Sequence, residues 1–257
     1  SYNDGGSVTC NINGTQIQYT TVSRNTDLNL NTFPTHLHVH SSGNAGSSCT
    51  GQYMTITGTG KSAKNNVVVG NLTSTEALSG SSSSGPVQDG RIKPELVAMG
   101  TSVFSTSTPL NTYATLSGTS MSTPGIAGSL ALLVQRYKEL NSNVVPPSTL
   151  IKNIACNSAH DLGNPGPDYR FGFGRINALN AVRILEDNRY ILGAPMSTSN
   201  ISNTVITVPA GTTRLKVMLS WNDPAAAANA NPALINNLDL TVIEGATTTL
   251  PWILDRN

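Results

Sequence analysis

The chain has 257 residues, enough for one core domain and part of a second. Charged residues make up only 11% and the formal net charge is +1, which excludes the electrostatic attraction that nucleic acids and anionic membrane surfaces require. No run approaches the roughly 18 consecutive apolar residues of a membrane span. The polar surface must come from Ser, Thr and Asn, with 23 Gly and 14 Pro in turns, a composition that indicates a secreted or cell-surface bacterial protein.

The first half of the chain contains short strand candidates. Residues 37–40 predict a strand that ends in the tight loop 41–44, and residues 66–70 predict a second strand that is β-branched and ends in Gly. Such short apolar runs suit a parallel sheet that is buried on both faces.

The middle of the chain has helical spacing. Residues 120–140 are apolar nearly all round, which predicts a central buried helix, and Pro124 falls in its first turns, where a missing N–H costs least. Residues 149–155 and 177–186 predict two further helices, separated by a turn-rich stretch. The predicted fold class is therefore α/β.

The last part of the chain changes in character. Residues 205–208, 215–219 and 238–242 alternate apolar and polar side chains, which predicts strands and no further helix. About four strands are too few to close a sandwich, so we expect only the beginning of a β-sandwich domain. The predicted division is residues 1–186 and 187–257.

The three cysteines fit no zinc-ribbon or CxxC spacing. Cys10 and Cys49 lie in polar loops that a disulfide could close, and the sequence leaves open whether they are bridged. Cys156 follows an apolar phrase and is predicted to be a buried thiol.

The stretch Gly118 to Pro124 carries the chemistry. A Gly that turns sharply into an apolar helix places the hydroxyl of Ser120 at the helix N-terminus, where unpaired N–H groups and the positive dipole end favour developing negative charge. This arrangement suits acyl transfer, so Ser120 is a candidate nucleophile.

Several phrases in chain order resemble the subtilisin-like serine proteases. They are listed here: Ser42-Gly43-Asn44-Ala45-Gly46, Ser82 to Pro86, Asp89 to Leu96, Gly118 to Pro124, and Gly172 to Ala178. The resemblance covers about residues 1–186 and implies the C-terminal part of a catalytic domain with a parallel sheet and a buried helix after the nucleophile. Residues 215–242 look like the β-rich domain that follows this core in some secreted members.

The resemblance implies roles for particular residues. Ser120 would be the nucleophile, and the side-chain amide of Asn44 would join the Ser120 backbone N–H in an oxyanion hole. The pocket for the side chain before the cleaved bond would be lined by two groups of residues: Ser41, Ser42 and Gly43, and Ser1, Tyr2 and Asn3. Asn3 stands where the family usually has Gly. The substrate would be a polypeptide.

The family's Asp-Thr/Ser-Gly and His-Gly-Thr-His phrases, which supply the orienting aspartate and the general base, occur nowhere in the chain. A serine hydroxyl needs a base at neutral pH, so we expect this polypeptide alone to be inactive or nearly so. The N-terminal part of the same protease, or a complementary chain, is the expected partner. A catalytically inactive relative that serves binding or surface assembly is the alternative. An esterase or lipase is disfavoured because Ser120 lies outside a Gly-x-Ser-x-Gly phrase.

Three other constellations have two interpretations each. His36, His38 and His40 share one strand face and either bind a metal or, the favoured interpretation, pack at the sheet with single hydrogen-bond partners. His160 beside Asp161 is not expected to form a local triad with Ser120. No cofactor is required for the expected reaction. A structural calcium ion on the residues Asp223, Asn236, Asn237 and Asp239 is an expectation, with turn capping the favoured alternative.

Overall fold

The computed structural model describes residues 8–193 and 200–254. Its α-helices and β-strands are, in chain order, α1 (Thr21–Thr32), β1 (Val39–Ser41), β2 (Val67–Leu72), β3 (Leu96–Met99), β4 (Val103–Ser107), β5 (Thr112–Leu116), α2 (Thr119–Leu140), α3 (Ser148–Asn157), α4 (Ala178–Glu186), β6 (Val242–Glu244) and β7 (Thr247–Thr249). None of the helices in this described part has the length and apolar character that crossing a bilayer requires.

A parallel sheet of order β1-β2-β3 forms the centre. Every residue of β2 is buried, as expected for a β-branched strand with a neighbour on each side and a helix over one face. The backbone of Arg175 pairs with Val97 of β3 and also with His160, which extends the hydrogen-bonded layer beyond β3. The strands predicted at 37–40 and 66–70 correspond to β1 and β2, although β1 begins two residues later than predicted, and the α/β class is confirmed.

Helix α2 packs against all three strands and against α3 and α4. Its buried apolar side chains, spaced three or four apart, are Ile126, Leu130, Leu133 and Tyr137. The prediction of a helix buried all round is wrong for the opposite face, where Ala127, Ala131 and Leu132 are exposed. Small side chains and Leu132 there have no covering element among the described residues.

The C-terminal part differs from its prediction in detail. Residues 205–208 and 215–219 have no regular secondary structure, and the third predicted strand, 238–242, overlaps β6 only at Val242. A strand requires a neighbour for its backbone hydrogen bonds, and Val205 is 95% exposed with no paired segment beside it. Antiparallel pairs instead form at β6–β7 and, earlier in the chain, at β4–β5.

The C-terminal segment is nevertheless attached to the sheet's surroundings by a buried ion pair. The Lys64 ammonium lies 2.5 Å from the carboxylate of Asp223, and both side chains are about 95% buried. The carboxylate also accepts the backbone N–H groups of Ile235 and Asn236. Asn65 and Asp223 exchange two further hydrogen bonds between side chain and backbone. Residues 223–236 are therefore docked on the loop that precedes β2.

The structure answers the question about the cysteines. Cys10 and Cys49 form a disulfide, and Cys156 is a free, buried thiol. Burial in the core raises the pKa of Cys156 to about 12. The thiol therefore stays protonated and acts as an apolar core side chain.

Candidate active site

The turn that leads into α2 requires glycine for its backbone conformation and its close contacts. Gly118 has φ +151°, and a Cβ there would lie 3.2 Å from the amide oxygen of Asn44. Its N–H donates to the carbonyl of Gly100 at 2.9 Å, which ties the turn to the end of β3. Gly100 is more crowded, since a Cβ there would lie 2.7 Å from the backbone nitrogen of Ser122. One close approach to a side chain and one to the backbone thus fix the start of α2.

Ser120 is the second residue of α2 and is partly exposed. Pro124, four residues further on, has no N–H to give to the carbonyl of Ser120. Ser120 therefore lies in the first turn of α2, at the positive end of the helix dipole, where the N–H groups of Met121 and Ser122 donate to the carbonyl of Gly118. These are the surroundings that the sequence predicts for a nucleophile.

Asn44 contacts the residue next to Ser120. Its side-chain oxygen accepts the backbone N–H of Thr119 at 2.9 Å and the Thr119 hydroxyl at 3.1 Å. Because a backbone N–H can only donate, the oxygen of the amide must face Thr119 and the NH₂ group must face away from it. Asn44 itself is exposed, so the NH₂ group is free to donate to a ligand.

Thr119 is a residue of the candidate site that the sequence analysis missed. Its hydroxyl donates to Asn44 and accepts the N–H of Gly43 at 3.3 Å, so one buried side chain connects the two loops. The Gly-Thr-Ser phrase offered a clue to this role, because it places a Thr hydroxyl directly beside the candidate nucleophile.

The segment 41–43 forms a tightly packed wall beside this turn. Ser42 donates its N–H to Val69 and accepts from Thr57, and its hydroxyl is buried without a hydrogen-bond partner. Gly43 has φ +114°, and a Cβ would lie 2.0 Å from the Thr57 hydroxyl. Only glycine fits there. Ser1, Tyr2 and Asn3, the other residues expected to line the pocket, lie outside the described residues.

The three histidines in and just before β1 pack against one another. The rings of His36 and His38 are 4.8 Å apart, and those of His38 and His40 are 5.7 Å apart. Burial, with like charge from His38 and nearby lysines, lowers the pKa of His40 to about 4. The Nε2 atom of His40 is buried without a partner, so the expectation of single hydrogen-bond partners fails for this atom. No group of metal ligands is found among the described residues.

His160 lies in the layer that extends the sheet beyond β3. Its backbone exchanges two hydrogen bonds with Arg175 at 2.8 and 2.9 Å, on the far side of β3 from β1. That His160 and Asp161 form no triad with Ser120 stays a prediction.

A second buried charge cluster underlies the sheet. Glu95 accepts from the ammonium groups of Lys93, at 2.5 Å, and Lys152, at 2.9 Å, and from the backbone N–H of Val68. Despite desolvation, which acts in the opposite direction, these cations hold the pKa of Glu95 below its usual value. Burial lowers the pKa of Lys93 to about 8. Sequence reasoning missed this cluster because Lys93 and Glu95, although two residues apart, are joined by Lys152 from 57 residues further along the chain.

The residues expected for calcium are placed differently from one another. Asp223 is buried and its carboxylate binds the Lys64 ammonium and two backbone N–H groups. Asn236, Asn237 and Asp239 are exposed. An ammonium thus occupies the position beside Asp223 that a cation would take, and calcium binding stays a prediction.

With this geometry in place, comparison with known proteins identifies the family. The model of the subtilase family matches residues 1–174. The chain belongs to this family. Its curated relatives include subtilisin DY of Bacillus licheniformis, with 39% identity over 32% of this chain and 27% of that protein. C5a peptidase of Streptococcus pyogenes is 42% identical over 33% of the chain and 7% of that protein.

Other relatives of this subtilase chain align over more of its length. A serine protease/ABC transporter B family protein, tagA of Dictyostelium discoideum, is 27% identical over 62% of the chain and 11% of that protein. The crystal structure of a lanthipeptide protease superposes with a TM-score of 0.54 at 21% identity, over 63% of this chain and 54% of that one. That similarity concerns the fold. The subtilase chain spans less than a third of the length of these curated relatives.

Proposed function

We propose that the chain carries the nucleophile of a serine endopeptidase and hydrolyses peptide bonds through an acyl-enzyme on Ser120. The hydroxyl oxygen attacks the substrate carbonyl carbon, and its proton passes to a general base. The tetrahedral intermediate then expels the amine, and water releases the acyl group. The observation that carries this proposal is the orientation of the Asn44 amide, whose oxygen is held by Thr119 beside Ser120.

The oxyanion would accept from the Asn44 NH₂ group and from the backbone N–H of Ser120. A neutral donor whose orientation is already fixed stabilises developing charge without the reorganisation that water requires. In subtilisin, which is itself the reference case for this effect, loss of such a donor costs about 10²–10³ in kcat. The segment 41–43, with Ser1, Tyr2 and Asn3, would hold the side chain before the cleaved bond.

The general base and its aspartate would come from polypeptide outside these 257 residues. The edge of β1 has no partner strand among the described residues. Beside it lies a groove of about 240 Å³, lined by Leu37 and Val39 of the strand side and by Ala127, Leu130 and Val134 of α2. An extended segment with apolar side chains would pair with the strand edge and fill the groove. The N-terminal part of the same protease, or a complementary chain, fits this description.

The disulfide and the docked C-terminal segment also support proposals on the cellular compartment and on the division of the chain into two parts. The Cys10–Cys49 disulfide supports an oxidising compartment, and therefore secretion or display on a bacterial surface. We assign residues 1–186 to the catalytic part and 187–257 to a following domain, docked through Asp223. The reaction itself uses no cofactor.

A fluorophosphonate probe tests the assignment of Ser120. The full-length gene product should be labelled, Ser120→Ala should abolish labelling, and Asn44→Ala should slow it about 10²-fold because the probe's developing charge loses a donor. Ser129→Ala is the matched control, since this serine lies nine residues further along the same helix and should have no effect. Folded full-length protein that resists labelling would contradict the proposal.

The inactive alternative is favoured by one observation, the absence of both base-supplying phrases from the chain. The codons preceding Ser1 distinguish the two functions. If they encode Asp-Thr/Ser-Gly and His-Gly-Thr-His, the endopeptidase is supported. If they encode neither, and intact-mass measurement shows a lone 26.9 kDa chain with no companion, the inactive module replaces it.

A further inference from the structure

The hairpin β4–β5 is an exposed, uncharged surface beside the nucleophile turn. From Leu96 to Gln135 the sequence contains no Asp, Glu, Lys, Arg or His. Phe104 is 69% exposed, Tyr113 is 63% exposed and Leu110, at the hairpin tip, is 89% exposed. Large apolar side chains concentrated on one projecting element indicate a contact surface.

The two aromatic rings form one platform. The hairpin register pairs Phe104 with Thr115 and Thr106 with Tyr113, so Phe104 and Tyr113 point to the same face. Their ring centroids are 5.4 Å apart and the ring planes differ by 16°, which is a stacked arrangement. Stacking fixes both rings in place before a ligand arrives, so little side-chain entropy is lost on binding.

The hairpin is joined to the nucleophile turn at both ends. Gly118 donates to Gly100, and Ser102 donates its N–H to the hydroxyl of Ser117 at 2.8 Å. Phe104 pairs with Thr115, three residues before Gly118, and Tyr113 precedes Gly118 by five residues, so the two rings lie about 10–17 Å from the turn at the rise of an extended strand. That distance corresponds to about three to five residues of extended substrate.

The platform also lies on the opposite side of the turn from the proposed acyl-side pocket. Asn44 approaches Gly118 and Thr119 from the end of β1, whereas Gly100 approaches Gly118 from the end of β3, with β2 between the two strands. A polypeptide that places the side chain before the cleaved bond against residues 41–43 therefore directs its other half toward the hairpin.

We propose that the Phe104–Tyr113 platform binds an uncharged, apolar segment of the polypeptide substrate, on the leaving-group side and about three to six residues after the cleaved bond. This inference rests on the proposed endopeptidase function and adds a substrate class to it. Charged segments are disfavoured because the whole surrounding stretch has no counter-ion to offer them.

The test compares three substrates of the full-length protein. A peptide that it cleaves is made with Phe and Leu at positions three to six after the cut, with Ser at those positions, and as an anilide that has no residue after the cut. Phe104→Ser/Tyr113→Ser should lower kcat/KM about tenfold for the apolar peptide only, mainly by raising KM. Ile201→Ser, which alters a still more exposed apolar residue elsewhere, is the control.

Each outcome has a distinct meaning. An equal loss of kcat/KM for all three substrates would show general damage to the site. An unchanged kcat/KM for the apolar peptide would show that the platform does not bind substrate. Either result overturns the inference. Absence of Ser120-dependent cleavage of every substrate would reject the endopeptidase itself. Anisotropy of the labelled apolar peptide with the Ser120→Ala protein then provides a readout without turnover, where the double variant must weaken binding about tenfold.

Sedimentation velocity tests the competing occupant, a second copy of the chain. Wild-type protein and the double variant should have the same oligomeric state. A dimer that the double substitution dissociates would assign the platform to self-association and overturn the inference.

Discussion

Substitution of Asp223 by Asn tests whether the C-terminal segment is held by its buried ion pair. Asn keeps the size of the side chain but removes the charge that neutralises Lys64, and it turns an NH₂ group toward donors that need an acceptor. Removing one partner of a buried pair costs about 3–5 kcal/mol. If that cost falls on undocking of the segment, its open population rises about 100- to 4,000-fold.

Hydrogen exchange at single amides measures this opening directly. The N–H groups of Ile235 and Asn236 donate to the Asp223 carboxylate at 2.9 and 2.8 Å, so their exchange rates should rise by the same factor. Asp239→Asn is the matched control, because Asp239 is an exposed carboxylate in the same segment. Exchange in Asp223→Asn within threefold of both the wild type and this control would refute the reasoning.

A double variant separates charge from hydrogen bonding. Lys64→Met together with Asp223→Asn leaves no buried charge, so it should recover part of the protection that Asp223→Asn loses. A double variant that exchanges faster than the single one would show that the ammonium is stabilised by the carbonyl groups of Pro224 and Ala233 without the carboxylate.

Three further predictions concern the core and the site. The pKa of His40 in the folded state is about 4, below its usual value, so between pH 6.5 and 4 the unfolded chain binds more protons than the folded one. The free energy of unfolding should therefore fall by on the order of 2 kcal/mol as the pH is lowered from 6.5 to 4, after allowance for partial exposure. Urea midpoints measured against pH should change less steeply in His40→Gln than in the wild type. Gly118→Ala should cut the fluorophosphonate labelling rate of the full-length protein at least tenfold, because φ +151° is strained for Ala and its Cβ meets Asn44; an unchanged rate would show that the turn tolerates a side chain. Cys10→Ser/Cys49→Ser should lose up to about 4 kcal/mol in denaturant titrations, the loop-closure value for a 39-residue separation, and dithiothreitol should have no further effect on it.

Helices with a strong apolar period could be predicted from the sequence. Residues 120–140, 149–155 and 177–186 correspond to α2, α3 and α4 within two residues, because their apolar stripes face one core. The exposure of Ala127, Ala131 and Leu132 could not be anticipated, since an apolar residue in the sequence does not reveal whether a neighbour is present to cover it.

The elements that the sequence analysis missed depend on tertiary hydrogen bonds. Helix α1 is rich in Asn, Thr and Ser, which favour caps and turns, and its buried Asp27 accepts the N–H groups of Lys64 and Asn65 and the hydroxyl of Tyr19. The hydrogen bonds from the loop at Lys64 and Asn65 stabilise this polar segment as a helix. The Thr/Ser-rich strands β4 and β5 likewise depend on contacts that the sequence does not show, since each strand provides the other's backbone hydrogen bonds.

The candidate site divides in the same way. Ser120 and Asn44 could be proposed from the phrases that surround them, because glycine turns and the residues after them have short-range signatures. Thr119 connects the two loops by a hydrogen bond to Asn44, 75 residues away, and a contact between residues so far apart could be recognised only in the structure. Strands 205–208 and 215–219 were predicted from alternation alone, which describes one strand and says nothing of a partner.

The separation of Lys64 and Asp223 by 159 residues has a consequence for biosynthesis. At about 5–20 residues per second, a ribosome adds Asp223 roughly 8–30 s after Lys64. During that interval the first part of the chain can collapse, but its docking position for residues 223–236 remains vacant. A nascent chain that stalls before residue 223 would therefore be a preferred target for chaperones and quality-control proteases.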